Sequence, residues 1–129
     1  MAWRAVAGII GALFLMNAAS WLLDPVSAAE GLGMPLLDGM ARSTQMGDIG
    51  GLFLAIGGLA AVGAWQMNAH WIRAAGILLA AAAVMRTLAW LLQDAAFGTS
   101  FIVFEVVGAA ILFFAAGKLE TDGSGSSAS

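Results

Sequence analysis

Apolar residues run along this chain in long blocks, and polar residues are confined to the gaps between them. Four blocks reach the roughly 20 mostly apolar residues that an α-helix needs to cross a bilayer. They cover about 3–23 (WRAVAGIIGALFLMNAASWLL), 47–67 with a start as early as Asp38 also compatible, 71–92, and 100–118. The pattern predicts an all-α protein, an integral membrane four-helix bundle over residues 1–119. The segment 120–129, ETDGSGSSAS, is small and polar and is expected to be disordered. Residues 24–46 form a long connection with Asp24, Pro25, Glu30, Pro35, Asp38 and one base, Arg42; residues 68–70 (NAH) and 93–99 (QDAAFGT) form short ones. A cleaved signal peptide competes for the first block, because Arg4 precedes an apolar run and small-residue sites follow it. That run is longer than a usual signal core, which favours a retained span.

Basic residues near helix ends favour the cytoplasmic side. Arg4, Arg73 and Lys118 then stand together against Arg42, so both termini are expected in the cytoplasm. Trp3, Trp65 and Trp71 fall at one interface, and Trp21 and Trp90 at the other, as aromatic belts do.

Composition supports the membrane reading. The chain is 61% hydrophobic and 10% charged, whereas soluble domains carry about 25% charged residues. The absence of cysteine excludes disulfides, iron–sulfur ligation and thiolate chemistry. The one histidine, His70, falls in a turn, so no span offers an imidazole to haem or chlorophyll, and zinc or di-iron sites lack their His clusters. No metal and no cofactor is expected. The net charge of −3 follows no run, which argues against a nucleic-acid partner. The pairs Gly50-Gly51 and Gly57-Gly58 sit inside apolar sequence, not after a strand, and read poorly as phosphate loops. The first span has no acid, unlike small four-helix multidrug exporters, which carry a Glu there.

The glycines form two stripes on the second span: Gly47, Gly51, Ala55 and Gly58, and beside them Gly50, Leu54, Gly57 and Ala61. Small residues let membrane helices approach closely, because association there rests on packing. This span is expected to touch two neighbours or to dock a membrane-protein partner.

Charges within spans are costly and turn inward, where they pair or line a cavity. Arg86 lies eight residues before Asp94, hence about 12 Å below it, and Glu105 lies six residues after Thr99, hence about 9 Å below that loop. On antiparallel neighbours the two meet at similar depth. Asp48 is the second candidate partner for Arg86. Gln45 and Asp48 start the second helix, Arg42 lies beyond them within i, i+4 reach of Asp38, and Asn17 and Ser20 end the first helix. Arg86, Trp90 and Asp94 share one helical face at i, i+4, i+8. The expectation is a polar layer at the outer ends of the bundle, with Arg86–Glu105 its deepest pair.

The segments ARSTQMGDIGGLFLAIG, MRTLAWLLQD and FEVVGAAILF, within residues 3–118, resemble small bacterial four-helix inner-membrane proteins of the DoxX-like kind and a related domain-of-unknown-function family. The resemblance lies in layout and in Arg/Glu placement, and implies a bacterial inner-membrane location and an accessory role beside membrane redox complexes. It carries over no catalytic residue.

Two functions follow as expectations. The first is an outward-facing polar pocket for an amphipathic molecule: a lipid, a quinone or an isoprenoid-like ligand. Arg86 would hold an oxygen or anionic group, Glu105 and Asp48 would orient it, Trp90 and Phe101 would form apolar walls, and Arg42, Gln45, Asp94 and Asn17 would complete the polar rim. The second is a non-catalytic accessory or assembly subunit in which Arg86–Glu105 only fixes helix register. Acid–base catalysis by Glu105 with Asp48 is a further option, and no motif marks it.

Overall fold

A computed structural model describes residues 2–128, with side chains through Thr121. Its helices are α1 (Ala2–Leu23), α2 (Pro25–Gly31), α3 (Gly39–Gln45), α4 (Gly51–Gln66), α5 (Ala69–Gln93) and α6 (Thr99–Ala128). A π-helical turn, Met46–Gly50, joins α3 to α4, so Gly39–Gln66 is one apolar rod of 28 residues. Among the described residues there is no strand. Four segments are long and apolar enough to span a bilayer: Ala2–Leu23, Gly39–Gln66, Ala69–Gln93 and Thr99–Thr121. All four expected spans are therefore present as helices, and the chain has the makeup of a multi-pass membrane protein. The tail expectation for 120–129 falls mostly on residues whose side chains lie outside that description.

Local chemistry sets the helix ends. Asp24 caps α2, its carboxylate accepting from the Ser27 N–H at 3.4 Å, with Pro25 in the first helical turn. Met67 is left-handed (φ 53°), and the Asn68 side chain accepts from the His70 N–H at 3.0 Å to start α5. Asp94, also left-handed (φ 55°), ends α5 by donating its N–H to the Ala89 carbonyl.

The four long segments form a ring in which α1 packs on α4, α4 on α5, α5 on α6, and α6 back on α1. The rod containing α4 touches two neighbours, as does every helix of the ring. The Arg4 guanidinium donates from Nε to the Ala64 carbonyl (2.6 Å) and from Nη2 to that of Trp65 (2.9 Å). A cation there suits the partial negative charge of the α4 C-terminus. Trp3 meets Phe114 edge-on at 4.8 Å, and Arg73 pairs with Glu120. The start of α1 and the described end of α6 thus lie together, at what is termed the terminal end. The loop end carries residues 24–46 and 94–98.

The core sits toward the terminal end. Ala7, Ala60, Ala64, Ile72, Ala75, Leu112 and Ala115 are buried there. No residue of α5 beyond Ala83 is buried. The α1–α4 crossing is tight because two glycines meet: a Cβ on Gly57 would lie 2.7 Å from the Leu15 nitrogen and 2.8 Å from the Gly11 carbonyl oxygen. Of the two stripes, the one through Gly57 faces this crossing. At Gly47, Gly51 and Gly58 an added Cβ would meet nothing within 4 Å. Trp21 departs from the belt expectation. It is 2% exposed and packs beside Gly50; the close approach that Gly50 permits buries the indole against the π-helical turn, away from the headgroup level. Trp65, Trp71 and Trp90 are exposed.

Candidate ligand pocket

Where the core stops, the helices enclose a cavity of about 450 Å³ at the loop end. Pockets for small molecules run from roughly 300 to 1,000 Å³. Phe14 and Asn17 come from α1, Phe53 and Ile56 from α4, and Leu79, Ala82 and Arg86 from α5. Ser100, Phe101, Phe104 and Glu105 come from α6, and Leu32 and Met34 from the 24–46 connection. The floor is aromatic: Phe14 stands 5.7 Å from Phe53 and 5.9 Å from Phe104, ring centre to ring centre.

Arg86 and Glu105 supply the charge. Nε of Arg86 donates to Oε1 of Glu105 at 2.7 Å, so the depth count along the antiparallel helices finds the right partner. The Glu105 side chain is 9% exposed and that of Arg86 37%. The guanidinium also lies over the Phe101 ring, 4.8 Å from its centre. This pairing is side-on, and no other hydrogen bond engages the terminal nitrogens of Arg86 among the described residues. Oε2 of Glu105 is buried and has no hydrogen-bond partner among them.

The other expected site residues divide. Asn17 and Phe101 line the cavity. The Asn17 side-chain NH2 donates to the Leu13 carbonyl at 3.1 Å, which leaves the side-chain oxygen Oδ1 for another group. Asp48 does not reach Arg86. It lines a separate shallow groove with Met40, Thr44 and Gln45, because the π-helical turn that carries it rotates it away from the α-helical register. Glu105 and Asp48 therefore do not share the cavity. Arg42 lies outside it, donating to Asp38 (2.9 Å) and to the Leu37 carbonyl (2.6 Å), the i, i+4 pairing expected.

Gln45 also works outside the cavity, as a clamp. Its Oε1 accepts from the Leu37 N–H (2.9 Å), and its Nε2 donates to the Pro35 carbonyl (3.0 Å) and the Met34 sulfur (2.8 Å). It thereby holds the segment that presents Met34 to the cavity. Trp90 packs on Phe97 at 4.9 Å, and Asp94 is spent on the helix end; both are exposed and neither lines the cavity. Leu32, Met34 and the Phe14–Phe53–Phe104 floor are lining groups that span counting does not find. Loop conformation brings the first two in, and apolar residues within apolar spans give no contrast.

Among the described residues no three His, Cys, Asp or Glu side chains gather as a metal-binding group. Comparison with protein-family models, curated proteins and solved structures finds no match.

Proposed function

We propose that this protein is a multi-pass membrane protein whose loop-end cavity binds an amphipathic molecule such as a lipid, a quinone or an isoprenoid-like compound. The observation that carries the reading is the cavity itself: an apolar space among four helices with one guanidinium on its wall. An intramembrane charge is expensive and is retained where it pairs or serves a ligand. A pair serving only helix register needs no adjoining space, and here about 450 Å³ adjoins it.

Orientation belongs to the same proposal. Arg4, Arg73 and Lys118 sit at the terminal end, and the positive-inside bias puts that end in the cytoplasm. The pocket then opens toward the outer face of a bacterial inner membrane, the location implied by the DoxX-like resemblance.

The test is saturable binding of amphipathic probes to delipidated protein in detergent. Arg86→Gln should abolish it with helicity and thermal unfolding retained. Ala82→Phe, which fills the cavity and leaves the ion pair intact, should also abolish it. If Arg86→Gln merely unfolds the protein and Ala82→Phe changes nothing, the pair is structural.

A second reading rests on α4 and the turn before it, where Gly47, Gly51 and Gly58 present open backbone. Such a surface suits packing against another membrane helix, and the protein would then be an accessory subunit. Gentle-detergent purification should recover a stoichiometric partner; a stable lone monomer would exclude this use.

A further inference from the structure

We infer that the pocket selects amphipaths with an uncharged polar head and rejects those with a phosphate or carboxylate. The inference rests on the pocket reading above and names its ligand class. Arg86 looks at first like an anion receptor. Its counter-ion, however, is already built in: Glu105 sits at 2.7 Å with its side chain nine-tenths buried. Among the described residues no hydrogen bond engages the second oxygen of Glu105, so Arg86 is the side chain that pairs with this carboxylate. An incoming anion would have to displace it or lie beside it, and two adjacent carboxylate-like charges in an apolar site repel strongly.

The surroundings act in the same direction. The loop end carries Asp24, Glu30, Asp38, Asp48, Asp94 and Glu105 against Arg42 and Arg86, a net −4. Arg42 is engaged by Asp38. The remaining cations with described side chains, Arg4, Arg73 and Lys118, are at the opposite end of the bundle. An anionic head thus meets no second cation, whereas phosphate sites commonly gather several donors.

A neutral oxygen fits. The terminal nitrogens of Arg86 retain donors for a carbonyl, ether or hydroxyl oxygen. The side-chain amide oxygen of Asn17 and the hydroxyl of Ser100, both on the cavity wall, supply acceptors for a hydroxyl hydrogen. Below them the walls are Phe14, Phe53, Phe104 and Leu79, suited to a hydrocarbon tail. Phospholipids, with a phosphate at the head, are excluded by this chemistry. Uncharged amphipaths, such as prenols and quinones, are admitted.

The experiment uses the full-length chain in a nonionic detergent and titrates farnesol, farnesyl phosphate and a short-tailed benzoquinone by calorimetry. Farnesol, the quinone or both should bind saturably, and their relative affinities separate the two sources of a neutral head. Farnesyl phosphate should bind at least about tenfold more weakly than the better neutral probe, and excess phosphatidylglycerol should not compete. In Glu105→Gln, which keeps an acceptor for Arg86 Nε and removes the counter-charge, the order should reverse in favour of the phosphate. Equal or tighter binding of farnesyl phosphate to the unsubstituted protein overturns the inference and leaves the pocket reading standing. Binding of phosphatidylglycerol, titrated directly, in place of the neutral probes likewise overturns only the inference, and binding of none of the four overturns both. If Glu105→Gln does not fold, the probe series on the unsubstituted protein still decides.

Discussion

Gly57 and Gly58 are consecutive on α4, and the same substitution at each should have opposite effects. A Cβ at Gly57 would come within 2.7 Å of the Leu15 nitrogen, 2.8 Å of the Gly11 carbonyl oxygen and 2.9 Å of Leu15 Cγ. Two of these are backbone atoms of α1, which no rotamer change moves. Ordinary contact starts at 3.4 Å, so Gly57→Ala must push the helices apart by about 0.7 Å. Over that distance neighbouring atom pairs lose roughly a quarter to a half of their attraction. Overpacking of this kind costs about 1–3 kcal/mol, while Ala in place of Gly within a helix returns about 0.5–1 kcal/mol. The net expectation is a loss of up to about 2.5 kcal/mol, set toward the upper end because the clashing atoms are backbone. At Gly58 nothing lies within 4 Å, so Gly58→Ala should be neutral or gain up to about 1 kcal/mol. Thermal unfolding in detergent micelles, followed by helicity, compares the two variants directly. Phe14 of the cavity floor neighbours Leu15, so Gly57→Ala should also weaken probe binding. Equal stability of the two variants would refute the assignment of Gly57 to the α1–α4 contact.

Gln45→Leu removes three hydrogen bonds from the 34–37 segment, each worth about 0.5–1.5 kcal/mol net; hydrogen exchange should accelerate at the Leu37 amide, which donates to Gln45, while amides in 70–83 stay protected. Uniform protection in the variant would show that the clamp is redundant. Because the chain has no cysteine, Glu30→Cys, at an exposed position of α2, gives a single reporter of orientation. A membrane-impermeant maleimide should label it in spheroplasts without permeabilisation, and labelling only after permeabilisation would invert the proposed topology.

The long apolar blocks made the spans legible, and constant helical rise made the Arg86–Glu105 pairing legible from positions alone. Both follow from regular geometry. The same arithmetic misplaced Asp48, because it assumed α-helical register through 46–50, where the chain makes a π-helical turn. It grouped Trp90 and Asp94 with Arg86 because i+4 and i+8 stay near one face. The loop end of α5 contributes no buried residue, so a shared face there does not mean a shared pocket. Gln45 reads as rim polarity in sequence; its clamp role depends on the fold of residues 34–37, which no periodicity encodes. Arg4 reads as a topology signal, and only the tertiary arrangement reveals the α4 carbonyls it holds.

Burial is concentrated toward the terminal end, while the 84–93 stretch of α5 has no buried residue. Local opening free energies follow the density of buried contacts. The bundle should therefore behave as two regions of unequal cooperativity: a hub that exchanges its amides only by global unfolding, and a rim that opens at far lower cost. A ligand could enter between Leu32, Met34 and the helix ends through such rim openings, with the hub undisturbed. Substitutions in the rim would then alter exchange and binding rates while leaving the midpoint of global unfolding nearly constant.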